Sequence, residues 1–238
     1  MRAMILAAGR GERMRPLTDT TPKPLLRAGG KTLIGWHLER LASAGITDII
    51  VNHAWLGAQI ETNLGDGGQY GVRLAYSPEP SALETAGGIA QALDFFQDQP
   101  FLVVNGDIWC DWNPAQAQNL ASQLLASKRQ AWLLLVDNPA HHPQGDFRLH
   151  PDGSVTDSID DANATAAEAR GLTFSGIGIY HPALFTDIQR GQAARLAPLL
   201  RQAMTHKQVM GAKHDGAWVD VGTPARLAQL DRDLGSRQ

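Results

Sequence analysis

The 238-residue sequence predicts an α/β fold: one mixed domain on a mostly parallel central sheet. Three observations carry that prediction. Short apolar runs alternate with stretches of helical period, the pattern of βαβ units. The helical stretches are 9 to 14 residues long, and no repeat or linker divides the chain. Past residue 139 the alternation gives way to short strands joined by polar turns.

Each element has its own signal. Residues 3–7 are an apolar run ended by glycine and read as a buried strand. Residues 32–44 place Leu33, Ile34, Leu38, Leu41 and Ala42 on one helical stripe closed by Gly45. A strand over 48–52 and a helix over 56–64 follow, the latter stopped by Gly65. Next come a strand over 72–76, a helix over 84–96 and a buried strand over 101–105. A helix over 114–126 has proline in its first turn, where the missing N–H costs nothing. Residues 131–136 read as a strand, and 147–149, 155–158 and 173–180 as further strands. Residues 158–171 are acidic and alanine-rich and read as a mobile surface loop. A helix over 196–206, a strand near 218–220 and a closing helix over 224–234 complete the chain.

Composition excludes several classes. With 43% hydrophobic and 19% charged residues the chain is neither disordered, collagen-like nor a coiled coil. No stretch nears the roughly 18 apolar residues of a membrane span, and the apolar run at the N-terminus is too short for a signal peptide. Cys110 is the single cysteine, so an internal disulfide and a four-cysteine zinc site are excluded; a cytoplasmic protein without a membrane partner is expected. The net charge of −3 argues against nucleic-acid binding. That charge hides an asymmetry: seven of the 21 basic residues lie in the first 31 positions, against the acids Glu12 and Asp19. Such a cluster suits a polyanion.

The glycines beside those cations point the same way. The loop after the first strand reads Ala8-Gly9-Arg10-Gly11-Glu12-Arg13-Met14-Arg15-Pro16. Two glycines let backbone N–H groups approach phosphate oxygens, and Arg13 and Arg15 add charge. It is not a dinucleotide fingerprint, because Met14 stands where the third glycine belongs, and Gly30-Lys31-Thr32 is not a P-loop, because Leu25 replaces its first glycine. Lys31 reads as a surface turn residue. Thr21-Pro22-Lys23-Pro24-Leu25 holds a lysine between prolines, which predicts a stiff, extended mount for an anion-gripping cation. Asp107 and Asp220 each follow an apolar run. Taken singly they read as turn or cap residues; as a pair at strand ends beside a phosphate loop they suit a metal ion.

Leu6-Ala7-Ala8-Gly9-x-Gly11-x-Arg13-x-x-Pro16-Leu17-Thr18 followed by Pro22-Lys23-Pro24-Leu25 closely resembles the signature of sugar-1-phosphate nucleotidyltransferases. The resemblance runs on through Asn105-Gly106-Asp107 and Trp218-Val219-Asp220-Val221-Gly222-Thr223. It implies a Rossmann-like domain of the glycosyltransferase-A type, with a nucleotide-binding part over about 1–140 and an acceptor-binding and closing part over about 141–238. It implies NTP plus sugar 1-phosphate giving NDP-sugar and pyrophosphate. Lys23, Arg13 and Asp107 become the catalytic candidates. Ala8, Gly9, Gly11, Glu12, Arg13, Lys23, Glu79, Thr85, Gly87 and Asn105 become the nucleotide-binding candidates. Asp107 and Asp220 would ligate Mg²⁺. The nucleophile is an ionised phosphate oxygen, so no general base is required, and the missing Ser-His-Asp arrangement is no obstacle.

For the acceptor, the resemblance points to Asn105, Ile108, Asn138, Gly145, Asp146, Ser175 and Gly176. The segments 52–57, 135–149 and 172–177 are similar to the branch that makes UDP-N-acetylmuramate from UTP and N-acetylmuramate 1-phosphate in bacterial cell-wall recycling. Mannose-1-phosphate guanylyl transfer, or cytidylyl transfer to a phosphorylated alcohol, uses the same phosphate motifs. A silent sugar-nucleotide-binding homologue is disfavoured by the presence of Lys23, Asp107 and Asp220 together. The sequence ends 18 residues after Asp220, so a minimal catalytic domain and a monomer are expected. Trp36, Trp55 and Trp132 read as packing, His141 and His142 as loop residues and Cys110 as a bystander. Trp109 and Trp112 read equally as sugar-pocket walls or as core.

Overall fold

Alternation with period two decides the architecture. In the computed structural model, which describes residues 1–157 and 171–236, the first strand β1 (Arg2–Leu6) sends Ala3 and Ile5 into one apolar layer and Met4 into another. A strand that buries both faces needs helices on both sides. The chain supplies them in order.

A two-strand hairpin, β2 (Arg27–Ala28) and β3 (Lys31–Thr32), leads into α1 (Leu33–Ser43). Thr32 caps this helix by accepting from the Gly35 N–H at 3.0 Å. Then come β4 (Asp48–His53), α2 (Gly57–Leu64), β5 (Arg73–Pro78), α3 (Glu84–Gln91), β6 (Phe101–Asn105) and β7 (Ile108–Cys110). They are followed by α4 (Ala117–Ala126), β8 (Ala131–Val136), β9 (Phe147–Leu149), β10 (Val155–Asp157) and β11 (Thr173–Tyr180). The chain closes with α5 (Leu196–Thr205), β12 (Val209–Lys213), β13 (Trp218–Asp220) and α6 (Pro224–Gly235).

Among the described residues the main sheet has seven strands in the order β12-β8-β11-β6-β1-β4-β5, parallel except for β11. Helices α1, α2 and α4 cover the Ile5 face with Ile34, Leu38, Ile60 and Leu124. Helices α3 and α5 cover the Met4 face with Ile89, Leu200 and Met204. Each such aliphatic side chain contributes about 1.5–3 kcal/mol by leaving water. A third cluster joins Met14, Leu26, Leu33, Trp109 and Val221 to Leu227, Leu230 and Leu234 of α6. It ties the first loop to the last helix.

Strands β4 and β5 lie on one side of β1, and β6 lies on the other. The chain order therefore reverses between β1 and β6. Loops leaving these two strands diverge there and open a crevice, the usual ligand position in an open α/β sheet.

Several elements depart from the sequence reading. Lys23–Leu25 is a 3-10 turn, and only Pro22 before it is extended. The expected helix over 84–96 ends at Gln91 and continues as a 3-10 turn, Leu93–Phe96. The helix over 114–126 likewise begins with a 3-10 turn, Pro114–Gln116. The sequence reading places no strand at β2, β3, β7 or β12. The first three have two or three residues, and β12 reads as a strand only beside its neighbour β8. Apart from Gly171, the expected loop 158–171 lies outside the described residues. Trp109 and Trp112 are 4% and 6% exposed and pack edge-on against Trp36 and tilted against Trp132, so both belong to the core.

Candidate active site

A cleft of about 410 Å³ opens in that crevice, lined by Gly9, Gly11, Arg13, Lys23, Asn105 and Asp107 among others. Its floor is the loop leaving β1. Gly11 adopts φ +69°, and a Cβ there would stand 3.0 Å from Thr18 Cγ2 and 3.1 Å from Lys23 Cβ. Only glycine accepts both that backbone and that closeness. The Gly11 carbonyl accepts from Met14 N–H at 2.9 Å and from Thr18 Oγ1 at 2.8 Å. Met14 is fully buried and anchors the loop from below. Trp55 Nε1 donates to the Thr18 carbonyl at 3.1 Å, and Arg10 stacks on the Trp55 ring at 3.8 Å. With those contacts holding the loop, Gly9, Glu12 and Arg13 face the cleft, and Ala8 lines it.

Lys23 is buried, yet its Nζ reaches the cleft and lies 2.6 Å from Asp107 Oδ2. An ammonium in that position is desolvated, oriented and neutralised by one acid. Asp107 leads into β7, which pairs antiparallel with β13 and sets Ile108 opposite Asp220. The two aspartates thus sit one residue apart across a ladder, and the Val221 N–H donates to the Asp107 carbonyl at 3.1 Å. Asp220 Oδ2 is 2.6 Å from Arg226 Nη1 and 3.4 Å from His141 Nε2. Each carboxylate is engaged by a cation through one oxygen, and among the described residues Oδ1 of each has no partner. Beneath the ladder, His37 Nε2 donates to the Ile108 carbonyl at 2.9 Å. Burial pushes the His37 imidazole down to about 4, so it stays a neutral donor. Burial pushes the Cys110 thiol up to about 11, which makes it inert at neutral pH.

The nucleotidyl transferase family model matches residues 2–237. The chain belongs to the nucleotidyl transferase family. Two of the curated relatives that span almost the whole chain share one name. The N-acetylmuramate alpha-1-phosphate uridylyltransferase of Neisseria meningitidis serogroup B is 59% identical, over 99% of both chains. The enzyme of the same name from Caulobacter vibrioides is 34% identical, covering 95% of this chain and 94% of its own. Among solved structures, a putative glucose-1-phosphate thymidylyltransferase from Bacillus anthracis superposes with TM-score 0.83 at 19% identity, covering 99% of this chain and 96% of that one. At that identity the superposition speaks for the fold.

As a nucleotidyl transferase the chain needs room for two substrates, and a second cavity of about 270 Å³ adjoins the cleft. Glu84, Thr85 and Asn105 line both. Asn105 ends β6 between the two spaces, and its side-chain amide has no partner among the described residues. Opposite it, the pairing of β11 with β8 breaks register between Phe174 and Gly178. This bulge holds Gly176 at φ +84°, where a Cβ would come within 2.7 Å of Asn105 Nδ2.

Several of the expected ligand residues have partners within the fold. The Glu79 carboxylate is buried, accepting from Asn52 Nδ2 at 2.7 Å and from the Leu83 N–H at 2.8 Å. It shapes the 79–83 turn. The Gly87 N–H donates to the Ala194 carbonyl at 3.1 Å and so has a partner within the fold. Asn138 bonds the carbonyls of Pro143 and Gly171 and accepts from Thr173 Oγ1, and Gly145 packs against it. Ser175 and Ile108 are core side chains, though the Ser175 carbonyl accepts from Trp218 Nε1 at 2.8 Å and so joins β11 to β13. Asp146 lines the second cavity. His142 Nε2 lies 3.1 Å from Asp146 Oδ1. Arg226 and Arg195, absent from the sequence reading, reach the site from α6 and from the start of α5. Neither lies in a motif, and only the packing of these helices brings them there.

Proposed function

We propose that the protein transfers a uridylyl group from UTP to N-acetylmuramate 1-phosphate, giving UDP-N-acetylmuramate and pyrophosphate in bacterial cell-wall recycling. The geometry carrying this reading is the pair of confluent cavities meeting at Asn105, with the Lys23–Asp107 pair on the inner side. The choice of UTP and N-acetylmuramate 1-phosphate is supported by the full-length similarity to the Neisseria meningitidis enzyme.

In this reading the triphosphate lies over the loop at Ala8, Gly9 and Gly11, with Glu12 and Arg13 at its rim. A phosphate oxygen of the acceptor attacks the α-phosphorus, that P–O bond forms, and the bond to the departing pyrophosphate breaks. The obstacle is the approach of two polyanions. Lys23 and Arg13 place positive charge where negative charge accumulates, and Lys23 does so with little reorganisation because it is already held. Asn105 and Thr85 bridge the two substrates and orient the attack. The donor set of Asp107 and Asp220 fits Mg²⁺, a hard cation that takes carboxylate and phosphate oxygens. When bound, Mg²⁺ would screen the phosphate charges and favour departure of pyrophosphate. Arg226 and Lys23 hold these two carboxylates in place and balance their charge. We also propose that the enzyme acts as a monomer in the cytoplasm, the latter supported by its single, buried cysteine.

The test is pyrophosphate release, crossing the four NTPs with the α-1-phosphates of N-acetylmuramate, N-acetylglucosamine, glucose and mannose, with Mg²⁺ and after EDTA. Release with UTP and N-acetylmuramate 1-phosphate alone, abolished by EDTA, is expected. A preference for GTP and mannose 1-phosphate would replace the donor and acceptor while keeping the site. Undiminished activity without divalent metal would remove the roles given to Asp107 and Asp220.

A further inference from the structure

We propose that Arg195 reads the lactyl carboxylate of the acceptor and sets the enzyme's preference for an acidic amino sugar. The inference rests on the acceptor named above. N-acetylmuramate 1-phosphate carries two anionic groups. Its phosphate belongs in the inner cleft, beside Arg13 and Lys23. Its carboxylate then lies in the outer cavity and requires a cation there.

Three charged residues line that cavity among those described: Glu84, Asp146 and Arg195. Asp146 is committed to the fold, since its Oδ2 accepts from the Phe174 N–H at 2.8 Å and Oδ1 faces His142. Arg195 is mounted differently. The backbone just before it is fixed on both sides. The Ala194 N–H donates to the Leu83 carbonyl at 3.0 Å, and the Ala194 carbonyl accepts from Ala86 and Gly87 at 2.9 and 3.1 Å. The guanidinium is not fixed. Its side chain is 78% exposed, and its ion pair with Glu84 is loose at 3.9 Å. A rigid mount with a cation left uncommitted costs little ordering when an anion arrives.

Glu84 is the partner of that guanidinium. It stands at φ +60°, a conformation costly for any residue but glycine, at the rim shared by both cavities. It gives the guanidinium a weak partner at the cavity rim in the free enzyme. A carboxylate on the acceptor takes over that ion pair with bidentate geometry, whereas a neutral sugar offers nothing in exchange.

The experiment measures kcat and KM with UTP for the wild-type protein, Arg195→Gln and Arg195→Lys. Three acceptors are compared: N-acetylmuramate 1-phosphate, its lactyl carboxamide and N-acetylglucosamine 1-phosphate. Arg195→Gln should lower kcat/KM for the acid about tenfold or more, through KM, and leave the other two acceptors and the KM for UTP unchanged. Arg195→Lys should fall between. An equal loss on all three acceptors, or no loss on the acid, overturns the inference. A wild-type protein that does not use the acid acceptor overturns the proposed function and this inference with it. A wild-type protein that uses it while Arg195→Gln is indifferent to the carboxylate overturns this inference alone.

Discussion

The inner cleft and the outer cavity share Glu84, Thr85 and Asn105 but are assembled in different ways. The inner cleft takes its cations and its glycine loop from contiguous sequence, residues 8–24, and the loop at Gly11 and the Lys23 ammonium are braced by neighbours in the fold. The outer cavity draws Asp146 and Phe147, Phe174, and Arg195, Leu196, Ala197 and Leu200 from three separate segments, and its cation Arg195 is loosely held. In the proposed function the common chemistry of phosphates is thus written locally, on a braced loop and a held lysine. In the proposed function the features that tell one sugar from another come from distant segments, and the Arg195 guanidinium among them is held only loosely.

The sharpest test of the inner half of this comparison is Lys23→Ala. Turnover should fall ~10²-fold or more, because a pre-oriented charge contact at the reacting phosphate is worth about 3 kcal/mol. Steady-state pyrophosphate release reads it, and unchanged kcat would remove Lys23 from the chemistry.

The rigidity of the inner side also has a pH signature. His37 is neutral in the fold with its ionisation pushed down to about 4, against 6.5 when exposed. Below the exposed value the unfolded chain binds the proton and the folded one does not, so this contribution is complete above about 6.5 and is lost as pH falls toward about 4. The loss should reach roughly 3 kcal/mol. Urea midpoints across that window measure it, and His37→Asn should flatten the dependence. A wild-type profile as flat as the variant's would break the account.

At the junction, Gly176→Ala should raise the acceptor KM more than the UTP KM. The added Cβ presses on Asn105 and the φ of +84° is strained, for about 1–2 kcal/mol in all. Equal effects on both substrates would mean that Asn105 does not divide the two spaces. The smallest effect concerns the layer behind them. The Tyr180 hydroxyl is fully buried with no partner among the described residues, and burial pushes its ionisation up. Tyr180→Phe should leave activity intact and raise stability by up to about 1 kcal/mol in denaturant titration. A loss of stability would reveal a hydrogen bond that the hydroxyl makes.

Contiguous residues were enough to read the alternating elements, the glycine-arginine loop, Lys23 between its prolines and the two strand-end aspartates. Helical and strand periods, capping residues and positive-φ glycines are properties of a few neighbouring positions, so they survive in one dimension. The 3-10 turn that buries Lys23 was not legible, because it depends on Asp107 and on the apolar cluster closed by α6. Nor was the bracing role of Glu79, or the occupation of the Gly87 N–H by Ala194. Trp109 and Trp112 were equally open to either role until the third dimension buried them. By itself the sequence determined the alternation of strands and helices, all of the main sheet but β12, and the place of the glycine-arginine loop. Only the tertiary structure decided which polar groups are spent on the fold and which, like the Asn105 amide and the Arg195 guanidinium, are held loosely or not at all among the described residues. The reason is that a hydrogen-bonding group is free or committed according to partners that folding brings from far along the chain.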